Sequence, residues 1–300
     1  MSSFGAQDMV SPLRRVLMKR PGQAMSKADP KLWHYDGNLD LDRLQADHDA
    51  LVKQIHDAGA EVLFLEEDDQ SPRAASPLAD LAFTHDPSLV TAEGAILLRM
   101  GKRLRRGEEQ FHKQFYERNQ IPICATIEDP GTVEAGDCLW LDTETLIVGI
   151  SFRTNQAGAD QLERILSDQG VTVHAFDLPT HQGVDVCLHL TSLISMLDHD
   201  LALVHEPLLP VRLRQLLQQL AIKCLVAPAD EFTASNTLSV NVLALAPRHC
   251  IMVEGYPKTL QLLQDAGCQT TTFCGNELCG KAEGGPTCLT RPLLRNGLET

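Results

Sequence analysis

The chain has 300 residues, of which 26 are Lys or Arg and 40 are Asp or Glu, so its net charge is −14. Such an acidic chain repels the phosphates of nucleic acid, so we expect no nucleic-acid partner, whereas a cationic small molecule meets a favourable field. Because 43% of the residues are hydrophobic and 22% charged, the chain can bury a large core, which excludes a disordered protein or a disulfide scaffold.

Targeting signals and cysteines indicate the cellular compartment in which the protein is expected. The amino-terminal segment lacks the apolar stretch of a signal peptide, and no run reaches the roughly 18 apolar residues of a membrane span. The nine cysteines are an odd number without a C-x-x-C pair, so neither a disulfide framework nor a metal site is predicted. We therefore expect a cytoplasmic protein with reduced thiols and no membrane partner, and the sequence leaves homo-oligomerisation open.

A helix-like stretch, a break and an apolar strand recur five times along the chain. In the first unit, Leu44, Leu51 and Ile55 mark one apolar helical face, which ends at Gly59 before a strand. The five breaks between helix and strand are Gly59, Gln120, Gly170, Ala221 and Gly267. They recur at intervals of roughly fifty residues, with strand-like runs such as LAFTHDPSLV and CLHLTSLISML between successive units.

Each unit is therefore predicted to be strand, strand, helix, strand. One such unit cannot bury both its sheet and its helix, so several must stack. The even spacing predicts an α/β protein and favours a closed ring of five units in a single domain over residues 1–300. Chance recurrence of βαβ patterns in an ordinary α/β protein is the alternative. Neither a G-x-G-x-x-G motif nor a P-loop occurs, so no nucleotide cofactor is predicted.

Polar residues at equivalent strand ends converge on the axis of a closed ring. Candidates recur near the repeat interval, namely Asp86, Glu134, His189 and Cys288, and the remaining unit offers the asparagines of SNTLSVN. Each of these residues alone also has an ordinary structural interpretation. Asp86 is then part of an Asp-Pro turn and Glu134 part of a turn before a strand. His189 is a buried, hydrogen-bonded histidine, and Cys288 is a small apolar residue that fills space. Together, a thiol, an imidazole and two carboxylates predict an active site.

Five segments resemble a known superfamily. They are ADLAFTHDPSLVTAEGAILLRMGKRLRRGEE at 79–109, EAGD at 134–137, GISFRTNQAGADQLERIL at 149–166, HLTSLISM at 189–196 and GGPTC at 284–288. In this order they are similar to the guanidino-group-modifying superfamily of dimethylarginine dimethylaminohydrolases, arginine deiminases and amidinotransferases. The resemblance implies a pseudo-fivefold, five-bladed α/β propeller of strand-strand-helix-strand repeats, with the site on the axis.

The resemblance also implies roles for individual residues. It makes Cys288 the nucleophile, His189 the general acid and base, and Glu134 the carboxylate that holds the guanidinium and supports the histidine. The expected substrate contacts are Asp86, Asp80 and Asp137 as acidic groups, Arg153 for the α-carboxylate and Arg106 as its assistant. We expect no cofactor and no metal.

Two positions depart from the family patterns. His189-Leu190-Thr191 lacks the acidic residue of the His-x-Asp motif of deiminases and amidinotransferases. His85 precedes Asp86, where deiminases tend to have arginine and dimethylarginine hydrolases glutamate. The resemblance implies a cysteine hydrolase that cleaves a guanidino C–N bond of arginine or Nω-methylated arginine through a covalent thiouronium, giving citrulline plus ammonia or an amine. Amidino transfer to an amine, hydrolysis of arginine or citrulline to ornithine, and silent sensing of a cationic amino acid are the alternatives.

These residue types suit guanidinium chemistry. The guanidinium ion delocalises its charge over three nitrogens, so its carbon resists attack until carboxylates fix the planar group. A thiolate is the suitable nucleophile. We expect the carboxylates to raise the pKa of Cys288 in the empty site and a bound cation to lower it.

Overall fold

The structure, a computed structural model, describes residues 3–66, 78–183, 186 and 188–295. The strands in these ranges are β1 (Leu13–Met18), β2 (Glu61–Phe64), β3 (Ser88–Thr91), β4 (Gly94–Leu97), β5 (Ile123–Thr126), β6 (Cys138–Asp142), β7 (Thr145–Ile150), β8 (Thr172–Asp177), β9 (Ile194–Asp198), β10 (Leu201–Val204), β11 (Lys223–Val226), β12 (Leu243–Ala246), β13 (His249–Val253), β14 (Gln269–Phe273) and β15 (Arg291–Arg295). The helices are α1 (Gln23–Ser26), α2 (Pro30–Trp33), α3 (Leu41–Asp57), α4 (Glu108–Arg118), α5 (Gln156–Ser167), α6 (Val211–Gln219), α7 (Ala229–Ala234) and α8 (Pro257–Asp265). Among the described helices, none is long and apolar enough to cross a membrane.

The strands form five sheets of three strands each. Their orders are β15-β1-β2, β3-β4-β5, β6-β7-β8, β9-β10-β11 and β12-β13-β14. In every sheet the first two strands run antiparallel and the last two run parallel, with a helix crossing between the parallel pair. The predicted strand-strand-helix-strand repeat is therefore confirmed five times.

The sheet that closes the ring joins the two ends of the described chain. Strand β15 pairs antiparallel with β1, with Leu13 opposite Arg295 and Leu17 opposite Arg291. The periodicity of the sequence does not indicate either strand, because each lies outside the helix-containing units that define the repeat. Their pairing supplies the fifth blade.

Burial separates the inner strands from the outer ones. The first strand of each sheet is buried almost throughout, as in β3 and β9, whereas third strands such as β2 and β8 alternate between exposed and partly buried residues. First strands of neighbouring sheets also contact one another, β9 with β12 and β15 with β3. A strand covered on both faces belongs in the centre, so the first strands surround the axis and the helices lie outside.

The five predicted breaks all adopt positive φ angles. The values are 88° at Gly59, 56° at Gln120, 76° at Gly170, 56° at Ala221 and 82° at Gly267. This left-handed conformation ends a helix by redirecting the chain, which confirms where the five helices stop. Two of the positions carry a Cβ, and each of these stores about 1 kcal/mol of backbone strain.

Short turns of 3₁₀ helix precede the inner strands and shorten the predicted strands. They cover Ala79–Ala82, Ala135–Asp137, Leu190–Ser192 and Leu238–Val240. The strand expected in LAFTHDPSLV is therefore only Ser88–Thr91, and the one in CLHLTSLISML begins at Ile194. Cys187, which opens the second run, lies outside the described residues. These turns end at the axis, so their polar side chains meet there.

Candidate active site

A cavity lies where the turns meet. Five of the eight site residues expected from the sequence line it, namely Asp80, Asp86, Arg153, His189 and Cys288. Glu134 lies directly behind this wall and contacts two of its members. Asp137 and Arg106 are outside the lining.

Glu134 holds the imidazole of His189 from behind. Its Oε2 lies 2.9 Å from Nε2 of His189 and 3.2 Å from Nη1 of Arg153, and its Oε1 accepts a hydrogen bond from the backbone N–H of Lys102 at 2.9 Å. Burial opposes ionisation of this fully buried carboxyl, but Arg153 and the hydrogen bond with His189 hold its pKa well below the usual range. The ionised carboxylate therefore orients the ring and stabilises its protonated form.

The backbone of EAGD supports the same ring. A Cβ placed on Gly136 would lie 2.2 Å from Nδ1 of His189, so the ring packs against a position that only glycine can fill. Asp137 follows, and it accepts hydrogen bonds from the backbone N–H of Leu190 at 3.0 Å and from Oγ of Ser151 at 2.6 Å. Asp137 therefore stabilises the turn behind His189. The expectation that Asp137 contacts substrate is not met, because its side chain does not line the cavity. Burial raises the pKa of Asp137 to about 6.

Asp86 is joined to a buried arginine. One oxygen accepts a hydrogen bond from the backbone N–H of Gly136 at 2.8 Å, and the other pairs with Nη1 of Arg105. The same guanidinium pairs with Glu108 at 2.8 Å and donates to the carbonyl of Phe83 at 3.1 Å. Burial opposes ionisation of Asp86, but Arg105 keeps its pKa below the usual value. This network fixes Asp86 at the floor of the cavity.

Arg105, and not Arg106, faces the cavity. The expectation that Arg106 assists Arg153 is corrected by its placement, because Arg106 is exposed and its Nε donates to the carbonyl of Met100 at 3.3 Å. The two arginines are consecutive, and the short 3₁₀ turn at Arg103–Arg105 decides which one points inward. The repeat pattern of the sequence does not indicate which of two consecutive arginines points inward.

Cys288 lies in the turn before β15, and an asparagine of the SNTLSVN segment positions it. Asn241 donates from Nδ2 to the Cys288 sulfur at 3.3 Å and accepts from the backbone N–H of Thr287 at 3.0 Å. A Cβ on Gly285 would lie 2.4 Å from the Asn241 side chain, and one on Gly284 would lie 2.2 Å from the ring of Phe83, so both positions before the cysteine require glycine. Burial, and next the charge of Asp86, raise the pKa of the Cys288 thiol to about 11. The pKa of Cys288 is therefore raised, as expected from the sequence, but burial contributes more to the shift than the carboxylate of Asp86 does.

Three further lining residues, Trp33, Tyr35 and Lys102, carry no motif that marks them in the sequence. Trp33 and Tyr35 belong to α2 and the residue pair that follows it, and Lys102 opens the turn before Arg105. Lys102 falls inside the segment that resembles the superfamily. Its sequence neighbourhood is rich in basic residues, which hides the one that enters the cavity.

The two departures from the family patterns leave the cavity without an added charge. Thr191 donates its hydroxyl hydrogen bond to the carbonyl of Gly136 at 2.9 Å. His85 contacts the carbonyl of Thr290 at 2.9 Å through Nδ1 and lies beside Arg291. Burial and the neighbouring guanidinium lower the pKa of His85 to about 3, so this imidazole is neutral.

Asp86, Glu134 and His189 also form a set of metal-type donors. One donor atom from each lies within 4.8 Å of the others. Both carboxylates, however, already pair with guanidinium groups, of Arg105 and Arg153. Any further cation shares these carboxylates with the two arginines, and at the same distance a divalent metal ion meets twice the repulsion that a singly charged guanidinium meets, so the electrostatics disfavour a metal more strongly.

Comparison with known families agrees with this geometry. A model of the arginine deiminase family matches residues 65–231, which is more than half of the chain. The chain therefore belongs to the arginine deiminase family, within the guanidino-group-modifying superfamily expected from its motifs. This membership puts it among the hydrolases that act on C–N bonds of linear amidines.

Individual relatives of the chain include enzymes with two different activities of this superfamily. An arginine deiminase from Listeria monocytogenes is 22% identical over 97% of both chains. The N(G),N(G)-dimethylarginine dimethylaminohydrolase from Pseudomonas aeruginosa is 27% identical over 92% of this chain and 98% of its own.

Solved structures of related proteins have the same fold as this chain. The Pseudomonas aeruginosa enzyme complexed with citrulline superposes with a TM-score of 0.75 at 23% identity, covering 93% of this chain and 99% of that chain. The N-terminal domain of ArgZ, an arginine dihydrolase from cyanobacteria, gives 0.75 at 22% identity, with 94% and 96% covered. The fold is accordingly the predicted five-bladed α/β propeller.

Proposed function

We propose that the protein is a cofactor-free cysteine hydrolase that cleaves a guanidino C–N bond and forms a ureido product. Cys288 is the nucleophile, His189 the general acid and base, and Glu134 the carboxylate that orients His189. Asp86 and Arg153 bind the substrate, with Arg153 receiving a carboxylate group. Residues 1–300 act as one catalytic domain in the cytoplasm.

One observation carries the proposal. The Glu134–His189 pair and the Cys288 thiol meet in one cavity although the three residues are far apart in sequence. A thiol, an imidazole and an orienting carboxylate around a cavity form the constellation of covalent acyl or amidino transfer. Relatives named for arginine deimination and dimethylarginine hydrolysis support guanidino substrates as the class.

The first half of the reaction breaks the C–N bond. The substrate guanidinium lowers the pKa of Cys288 as it enters, because its charge stabilises the thiolate that burial disfavours. The thiol proton passes to His189, the sulfur attacks the guanidino carbon and forms an S–C bond, and His189 passes the proton on to the departing nitrogen. Ammonia or an amine leaves, and a thiouronium remains on Cys288.

The second half releases the enzyme. His189, now neutral and still held by Glu134, removes a proton from water, whose oxygen attacks the thiouronium carbon. The S–C bond breaks, the electron pair returns to sulfur, and a ureido compound leaves. An amine in place of water would make the enzyme an amidinotransferase, and a second round of hydrolysis would give an arginine dihydrolase.

Product analysis tests the proposal. The wild type and Cys288→Ser are incubated with arginine, asymmetric dimethylarginine, citrulline and guanidino acids, and the products are identified by mass. We expect a ureido product from at least one guanidino compound with the wild type and none with the variant. If no guanidino compound gives a product, the hydrolase proposal is wrong. A product that forms only after an amine is added moves the assignment to amidino transfer.

A further inference from the structure

A lysine already neutralises Asp80, the acidic residue expected to contact substrate. Nζ of Lys102 lies 2.7 Å from Oδ2 of Asp80, and the hydroxyl of Tyr35 donates to Oδ1 at 2.6 Å. Both side chains are largely shielded, with 14% of Lys102 and 7% of Asp80 exposed. Each oxygen of Asp80 therefore has a donor from the protein itself.

The position of Lys102 is fixed from several sides. Nζ donates to the carbonyl of Trp33 at 3.2 Å and lies 4.8 Å from the centre of the Trp33 ring, a cation–π distance. The backbone N–H of Lys102 donates to Glu134 at 2.9 Å. The same residue thus ties the catalytic carboxylate to the cavity wall and presents an ammonium group beside it.

This ammonium changes which substrate tail the cavity accepts. In arginine the α-ammonium and the α-carboxylate share one carbon, so when Arg153 binds the carboxylate the ammonium lies inside the same cavity. Of the acids that line this cavity, Asp86 is already paired with a buried arginine and Glu283 is exposed, so the ammonium is left with Asp80 and its partner Lys102. Two ammonium groups sharing one carboxylate repel each other in a partly desolvated site.

We infer that Lys102 is a specificity-determining residue that selects guanidino acids without a cationic α-amine. The inference rests on the proposed guanidino hydrolase and narrows its substrate class. Two kinds of compound share the chemistry: acids that lack the amine, such as desaminoarginine, and acids whose amine is acylated, such as Nα-acetylarginine. In both, Lys102 meets a neutral or hydrogen-bond-accepting group.

Ligand binding to Cys288→Ser tests the selectivity without requiring turnover. Calorimetric titration with arginine, desaminoarginine and Nα-acetylarginine separates the two kinds of compound. We expect at least one of the amine-free ligands to bind about tenfold tighter than arginine. Equal or tighter binding of arginine overturns the inference, and so does a lack of binding by all three ligands. Failure of turnover in the wild type concerns only the proposed reaction, because this readout does not depend on it.

Variants of Lys102 connect the preference to its charge. Lys102→Met keeps the chain length beside Trp33 and removes the ammonium, so we expect the preference to move towards arginine by about tenfold. Lys102→Arg keeps a cation and should keep the preference. Lys281→Met removes a lysine that pairs with Glu277 at 3.0 Å outside the cavity lining, and it controls for net charge. An unchanged preference in a folded Lys102→Met protein contradicts the assignment.

Discussion

Oε2 of Glu134 lies 2.9 Å from Nε2 of His189, and this contact joins two blades of the propeller at the axis. The carboxylate is fully buried and ionised, so the imidazole is oriented by a charge that water does not screen. We expect Glu134→Gln to lower kcat on the order of a hundredfold, since general acid–base catalysis contributes at least that much. Steady-state kinetics measures the loss, and the exposed Glu163→Gln serves as a control with near wild-type rates. A kcat for Glu134→Gln within twofold of wild type contradicts the role.

Cys288 should be poorly reactive in the empty enzyme. Because burial and Asp86 raise its pKa to about 11, the thiolate fraction, and with it the alkylation rate, should rise roughly tenfold per pH unit from neutral pH to pH 10. Guanidinium ion should accelerate alkylation at neutral pH by stabilising the thiolate. The rates are measured with iodoacetamide and peptide mass mapping, with Cys288→Ser as the blank for other thiols. A rate that levels off near pH 8 would refute the raised pKa.

Gly136 should be required for the position of His189. An added methyl group would lie 2.2 Å from Nδ1, so Gly136→Ala must displace the ring. Misplacement of a catalytic group by about 1 Å can cost on the order of a hundredfold in rate, and we expect a kcat loss of that size. Gly280→Ala is the matched control, because its added methyl meets no heavy atom nearer than 3.8 Å. Similar kinetics for both variants would show that the ring tolerates displacement.

Arg105 should be essential for stability as well as for the cavity floor. Arg105→Met leaves the buried carboxylate of Asp86 and the carboxyl group of Glu108, whose pKa burial raises to about 8, without their common partner. Removing one member of a buried ionic network costs about 3–5 kcal/mol, which urea unfolding monitored by circular dichroism would detect. Arg118→Met, which removes an exposed arginine 3.6 Å from Glu66, should change the unfolding free energy by less than about 1 kcal/mol. Equal losses in the two variants would contradict the network.

The positive φ angles predict a reciprocal pair of stability changes. Ala221 is exposed with φ 56°, so Ala221→Gly should relieve strain and raise the unfolding free energy by about 1 kcal/mol or slightly less. Gly170 has φ 76° and open space around it, so Gly170→Ala should lower the unfolding free energy by about 1 kcal/mol. Thermal unfolding of both variants measures the two signs. A stabilising Gly170→Ala would rule out the backbone explanation.

The repeat could be predicted because helix faces and chain breaks are local signals. Gln120 and Ala221 mark the predicted breaks of the two units that have no glycine there, and both have the left-handed backbone of the glycines in the other units. The pairing of β1 with β15 could not be predicted in the same way. It joins opposite ends of the chain, and neither strand has a helix of its own to mark it.

The site was predictable in its centre and less so at its edge. The residues at equivalent turns converge, as the spacing of Glu134, His189 and Cys288 indicated. The choice of Arg105 over Arg106 depends on side-chain direction within a short turn. The bracing position of Asp137 depends in the same way on the geometry of its turn, and neither leaves a periodic trace in the sequence.

The most direct test of the account is to search for the covalent intermediate on Cys288. The wild type is mixed with a guanidino compound that it converts, and the reaction is quenched with acid within a single turnover. The protein is then digested, and the mass of the peptide that contains Cys288 is measured by mass spectrometry. We expect the mass of an S-linked amidino adduct on this cysteine, which decays as the ureido product appears. Product formation at the wild-type rate by Cys288→Ser, or an adduct confined to another residue, would contradict the mechanism.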